Sequence, residues 1–123
     1  MPEYLLFYIG LSLFIIHEMD AIHRQEWKMF PLLSSLNDRQ GYLVFTVLHI
    51  PLLVAIFWLL TNPSTTDLFM RCFDLFMIVH LGLHLLFIKS KRNRFKHIFS
   101  WIVIVGIAVC GFLDLLLFKS GYL

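Results

Sequence analysis

The chain has 123 residues, 59% of them hydrophobic, with a mean hydropathy of +0.81 and only 15% charged residues. Soluble domains are roughly 45–50% apolar, so this composition excludes a water-soluble globule, whose surface it could not cover with polar groups. A net charge of +2 spread over such a chain gives no basis for nucleic-acid binding.

Four apolar stretches, near 4–24, 42–60, 67–88 and 97–118, approach the roughly 20 helical residues that a 30 Å hydrocarbon core requires. Their runs are continuous and do not alternate, which argues against a β-barrel. The expected fold is therefore all-α, a single transmembrane domain built as an integral membrane four-helix bundle.

The first stretch carries Glu3 and no basic residue before its apolar run, and no small-residue cleavage site follows, so it reads as a retained helix. Its apolar run, Tyr4 to Ile16, spans only about 20 Å as a helix. Crossing a bilayer then draws His17 and Glu18 into the membrane and sets Asp20 near its edge. The polar run Ser34, Ser35, Asn37, Asp38 ends the first connection.

The second stretch holds His49 with Thr46 one turn away and Pro51 just beyond, where a missing N–H kinks the helix and frees a carbonyl near Val47. A breaker-rich turn, Thr61 to Thr66, leads to the third stretch. There Asp67, Arg71 and Asp74 follow helical spacing and, with Asp114 of the fourth stretch, predict an ion-pair network. His80 and His84 stand four apart on one face.

The basic run Lys89 to His97 comes next, suited to anionic headgroups. The fourth stretch is small-sided at Gly106, Ala108, Cys110 and Gly111, which allows close helix approach or self-association as a homo-oligomer. Cys72 and Cys110 both read as small core residues.

Eight of the 10 Lys and Arg residues fall in the first and third connections, and Arg71 and Lys119 on the other side. The positive-inside rule puts both termini on the non-cytoplasmic side. Tyr4, Tyr8, Trp58 and Tyr122 then form the outer aromatic belt, and Trp27, Tyr42 and Trp101 the inner one.

This topology gathers His17, Asp20, His49, His80 and His84 at one depth near the cytoplasmic end. Intramembrane ionisable groups are costly and mark functional sites. Neutral imidazole and carboxylate suit zinc or iron, and these residues supply enough ligands for either. Glu18 is a candidate either for supporting the ligands from behind or for a general base. Hydrogen bonding between helices is the competing explanation for the same residues.

The segment His17-Glu18-Met19-Asp20-Ala21, followed by Glu26-Trp27, resembles the signature of an uncharacterised family of small bacterial four-helix membrane proteins. The unit His23-Arg-Gln-Glu26 resembles part of the motif of the HXXEE family of small membrane proteins, with Trp27 in place of its second Glu. Neither resemblance implies a chemistry. They imply a functional site near His17 and a bacterial inner membrane.

Two functions are therefore expected from the residues. One is a metal-binding bundle acting on a membrane lipid or other apolar small-molecule substrate. The other is a non-catalytic membrane protein, either a metal or proton transport element or an accessory subunit.

Overall fold

A computed structural model describes residues 4–91, 93 and 95–119, without the side chains of Phe118 and Lys119. Glu3, Arg92, Arg94, Tyr122 and the Lys119 side chain, which entered the sequence pattern, lie outside the described residues. The fold is all-α: α1 (Leu5–His23), α2 (Asp38–Thr61), α3 (Thr66–Leu86) and α4 (Ile98–Lys119), with a 3₁₀ turn at Glu26–Met29 between the first two. All four helices are long and apolar enough to cross a membrane.

Local chemistry sets the ends. Asn37 caps α2 by accepting a 2.8 Å bond from the Gln40 N–H, and Asp38 places negative charge at the positive end of the helix dipole. Between α2 and α3 the Thr65 and Thr66 hydroxyls donate to the Leu59 and Leu60 carbonyls, each at 2.8 Å, which satisfies acceptors that the helix end leaves open.

Each inner helix buries one stripe. α1 buries Phe7, Gly10, Leu11, Phe14, His17 and Ala21; α3 buries Met70, Phe73, Asp74, Met77, His80 and His84. The three- and four-residue steps mean that the histidines continue the same faces as the apolar core. α4 packs along both α1 and α3, whereas α2 is peripheral and buries only Gly41, Phe45 and Ile56.

Lipid is as apolar as these side chains, so close packing and not water exclusion holds helices of this kind together. Gly111 brings α4 against α3: a Cβ there would lie 2.7 Å from the Asp74 carbonyl oxygen. Edge-on aromatic contacts, with Phe14 and Phe73 centroids 5.2 Å apart at 86°, fill the space between α1 and α3.

Two apolar clusters divide the bundle. One surrounds Phe7, Phe73 and Met77, and the other surrounds Trp27, Phe95 and Ile104. Trp27 departs from the expected aromatic belt. It is 2% exposed, because the 3₁₀ turn folds it inward against Gly41, which has no side chain to obstruct the indole. Cys72 is exposed, Cys110 is buried, and both are free thiols.

Candidate metal centre

α1 and α3 bring three imidazoles together inside the bundle. His17 is fully buried, and His80 and His84 are 8% and 5% exposed. One ligand atom from each lies within 4.8 Å of the others. The His80 and His84 Nε2 atoms are 3.2 Å apart. Two nitrogens bound to a tetrahedral zinc at about 2.0–2.1 Å stand about 3.3 Å apart, so this pair already has the separation of two ligands on one ion. The His17 ring lies 4.6 Å from that of His80 and 5.1 Å from that of His84, centroid to centroid.

The 3.2 Å contact is also a hydrogen bond between His80 and His84, but hydrogen bonding does not account for the placement of His17. Neither ring nitrogen of His17, nor Nδ1 of His80, has a hydrogen-bond partner among the described residues. A buried polar group without a partner costs roughly 1–3 kcal/mol, and interhelical packing alone leaves that cost unrecovered. A cation shared by the three rings would take one lone pair from each, including the one His17 leaves unused. Phe95, fully buried, closes one side with its centroid 5.3 Å from His17 and 4.8 Å from His84.

The other expected residues have different partners. Asp20 accepts from the Ser100 hydroxyl at 2.5 Å and from Arg24 Nε at 3.3 Å. Three residues of helix rotate Asp20 by about 60° from His17, enough to turn it from α3 toward α4. His49 sits on the peripheral α2 and reaches the neighbouring Glu18: its Nε2 lies 2.5 Å from Glu18 Oε2, while Nδ1–H donates to the Phe45 carbonyl at 2.7 Å. The Nε2–Glu18 contact thus ties α2 to α1 beside the histidine cluster.

One acid near the histidines was not among the expected site residues. Glu26 Oε1 stands 3.9 Å from His84 Nε2. It follows α1, where Gln25 takes a left-handed conformation (φ 56°) that turns the chain back beneath the histidines. Burial, and then the nearby Glu18 and Asp20 charges, push the Glu26 carboxyl up to about 8 from its usual 4.5. Its sequence traces were its place in the His-x-x-Glu unit after His23 and in the Glu26-Trp27 pair that follows the His17–Ala21 segment.

A cavity of about 350 Å³ adjoins the cluster, lined by Glu18, Glu26, His80 and His84 together with apolar side chains such as Phe45 and Phe76. Among the described residues, no lysine or arginine lines it. Phe30, Leu83 and Phe87 of its wall are also exposed on the outside of the bundle, at 46%, 47% and 41%.

At the other end, Asp74 and Asp114 are each 1% exposed, and Asp74 Oδ1 and both Asp114 oxygens have no hydrogen-bond partner among the described residues.

A family of unknown function, DUF6713, matches residues 3–120, and the chain belongs to it. This fits the resemblance to an uncharacterised family. No curated protein and no solved structure matches the chain.

Proposed function

We propose that this member of the DUF6713 family is a membrane metalloprotein that holds one zinc ion on His17, His80 and His84 and acts on an apolar substrate drawn from the bilayer. The observation that carries the reading is the convergence of three buried imidazoles, with neither nitrogen of His17 and not Nδ1 of His80 hydrogen-bonded among the described residues. Zinc is favoured over iron because non-haem iron sites of the open kind use two histidines and a carboxylate. Here Asp20 is committed to Ser100 and Arg24.

The ligand number favours catalysis over a structural role. Structural zinc sites are closed by four protein ligands, whereas catalytic ones combine three with an open position. The cavity beside His80 and His84 supplies the space for that position. Bound there, zinc contributes Lewis-acid polarisation of a carbonyl and activation of water.

The chain's own residues do the rest. The apolar wall orients a hydrocarbon chain, and the exposed Phe30, Leu83 and Phe87 suit an entrance from lipid. The Glu18–His49 pair, held from behind by the Phe45 carbonyl, stores and returns one proton at the cavity wall. Glu26, beside His84, is a second proton-handling group. The eight-to-two division of basic residues supports a basic end facing the cytoplasm of a bacterial inner membrane, with both termini opposite.

Elemental analysis of protein purified without chelators tests this reading. Wild type should carry about one zinc per chain, as a single three-histidine site requires. A His80→Ala/His84→Ala variant should carry only background. Negligible metal in wild type after reconstitution with zinc overturns the proposal. Turnover of a long-chain ester by loaded protein, absent after chelation, separates the enzyme from a metal carrier, which would instead show flux in proteoliposomes.

A further inference from the structure

A second cavity, of about 300 Å³, lies at the basic end of the bundle, where the end of α1 meets the connection between α3 and α4. It is lined by His23, Arg24, Gln25, Asn93 and Lys96. Its lining is polar and cationic, whereas that of the cavity beside the three histidines is apolar and acidic.

The residues around it are held in place. Ser100, fully buried on α4, donates to Asp20 Oδ2 at 2.5 Å, and Asp20 Oδ1 in turn receives Arg24 Nε at 3.3 Å. That chain of contacts uses only one of the five guanidinium donors and fixes the plane of the fork. Asn93, 5% exposed, shapes the facing loop: its amide donates to the Ile88 carbonyl at 3.2 Å, and its oxygen accepts from the Phe95 N–H at 3.0 Å. The opposite wall is therefore also preformed.

Gln25 adds a backbone observation. It occupies the position after the helix end where a left-handed conformation normally selects glycine, and its φ is 56°. A side chain there is strained relative to glycine. The chain nevertheless places an amide at this point, and that amide lines the cavity.

We propose that the His23–Arg24–Gln25–Asn93–Lys96 cavity binds a phosphate group. The planar fork of Arg24 and the ammonium of Lys96 match a tetrahedral oxyanion, with the exposed His23 at the same cavity. Its position at the end of α1 and just before α4 is the headgroup level of a spanning bundle, so an anionic phospholipid can supply the phosphate directly. The proposal does not depend on the metal reading.

The experiment uses the full chain in neutral detergent. It is titrated with dihexanoyl-phosphatidylglycerol and, separately, with inorganic phosphate, and binding is followed by native mass spectrometry and thermal shift. His23 and Lys96 are exposed, so His23→Gln/Lys96→Gln should fold normally. It should weaken lipid binding about tenfold, through loss of charge-assisted contacts made inside the cavity. Lys89→Gln/Lys91→Gln removes two equally exposed lysines outside the cavity and should change affinity less than about twofold.

Lipid binding without competition from inorganic phosphate identifies a headgroup site. Competition by millimolar phosphate identifies a site for soluble phosphate compounds as well. Equal losses from the two double variants, or no saturable binding of either probe, overturn the proposal.

Discussion

His17 is the residue at which packing and ligation make opposite predictions. It is fully buried and neither nitrogen is hydrogen-bonded among the described residues, so in metal-free protein it is a burden of roughly 1–3 kcal/mol. His17→Leu should therefore raise the melting temperature of chelator-treated protein and abolish the further rise that zinc gives wild type. A histidine that only packs would show neither effect of zinc. Glu26 makes a prediction in pH. Its folded-state value of about 8, above the usual 4.5, means that the folded chain holds a proton that the unfolded chain releases. Metal-free protein should accordingly be most stable below pH 4.5 with respect to this group and lose that contribution as pH rises through about 8. Glu26→Gln should flatten this segment of the stability profile; an unchanged slope would remove Glu26 as its source.

The helices explain which parts of the site could be read from the sequence. The pair His80 and His84 was legible because one turn of helix separates them and a single element carries both. His17 was legible by depth, since the apolar run before it is too short to cross alone. Depth alone could not give the partners of Asp20 and His49 because it says nothing about azimuth: Asp20 turns to α4, and His49 belongs to the helix that contributes least to the interior. Glu26 was missed because its approach depends on a left-handed turn at Gln25, a conformation that a glutamine does not announce. Helix contacts carry their own test. Gly111→Ala drives a methyl toward the Asp74 carbonyl oxygen, 2.7 Å from an ideal Cβ, and should destabilise the bundle by about 1–3 kcal/mol, the usual range for overpacking. Gly82→Ala meets nothing within 4 Å and should be neutral or slightly stabilising. Equal melting temperatures for the two variants would contradict the close α3–α4 contact.

The whole molecule joins two chemically distinct cavities at the end of the bundle that carries most of the basic residues. The sequence pattern indicated four apolar helices and a polar cluster near that end, but the separation of an apolar, acid-lined cavity from a cationic one required the helices to be assembled. The distribution of lysine and arginine predicts the topology. In a background with Cys72 and Cys110 replaced by serine, cysteines at the exposed Ser64 and Lys91 should label from opposite faces of the membrane, Ser64 from outside. Labelling of both from one face would contradict it. The central claim, one zinc ion on three histidines, is tested most directly by X-ray absorption at the zinc edge of the purified protein. The account predicts a first shell of three imidazole nitrogens at about 2.0–2.1 Å with one further light atom, and loss of the imidazole scattering pattern in His17→Leu. A shell containing sulfur, a six-oxygen shell, or a spectrum unchanged in that variant would contradict it.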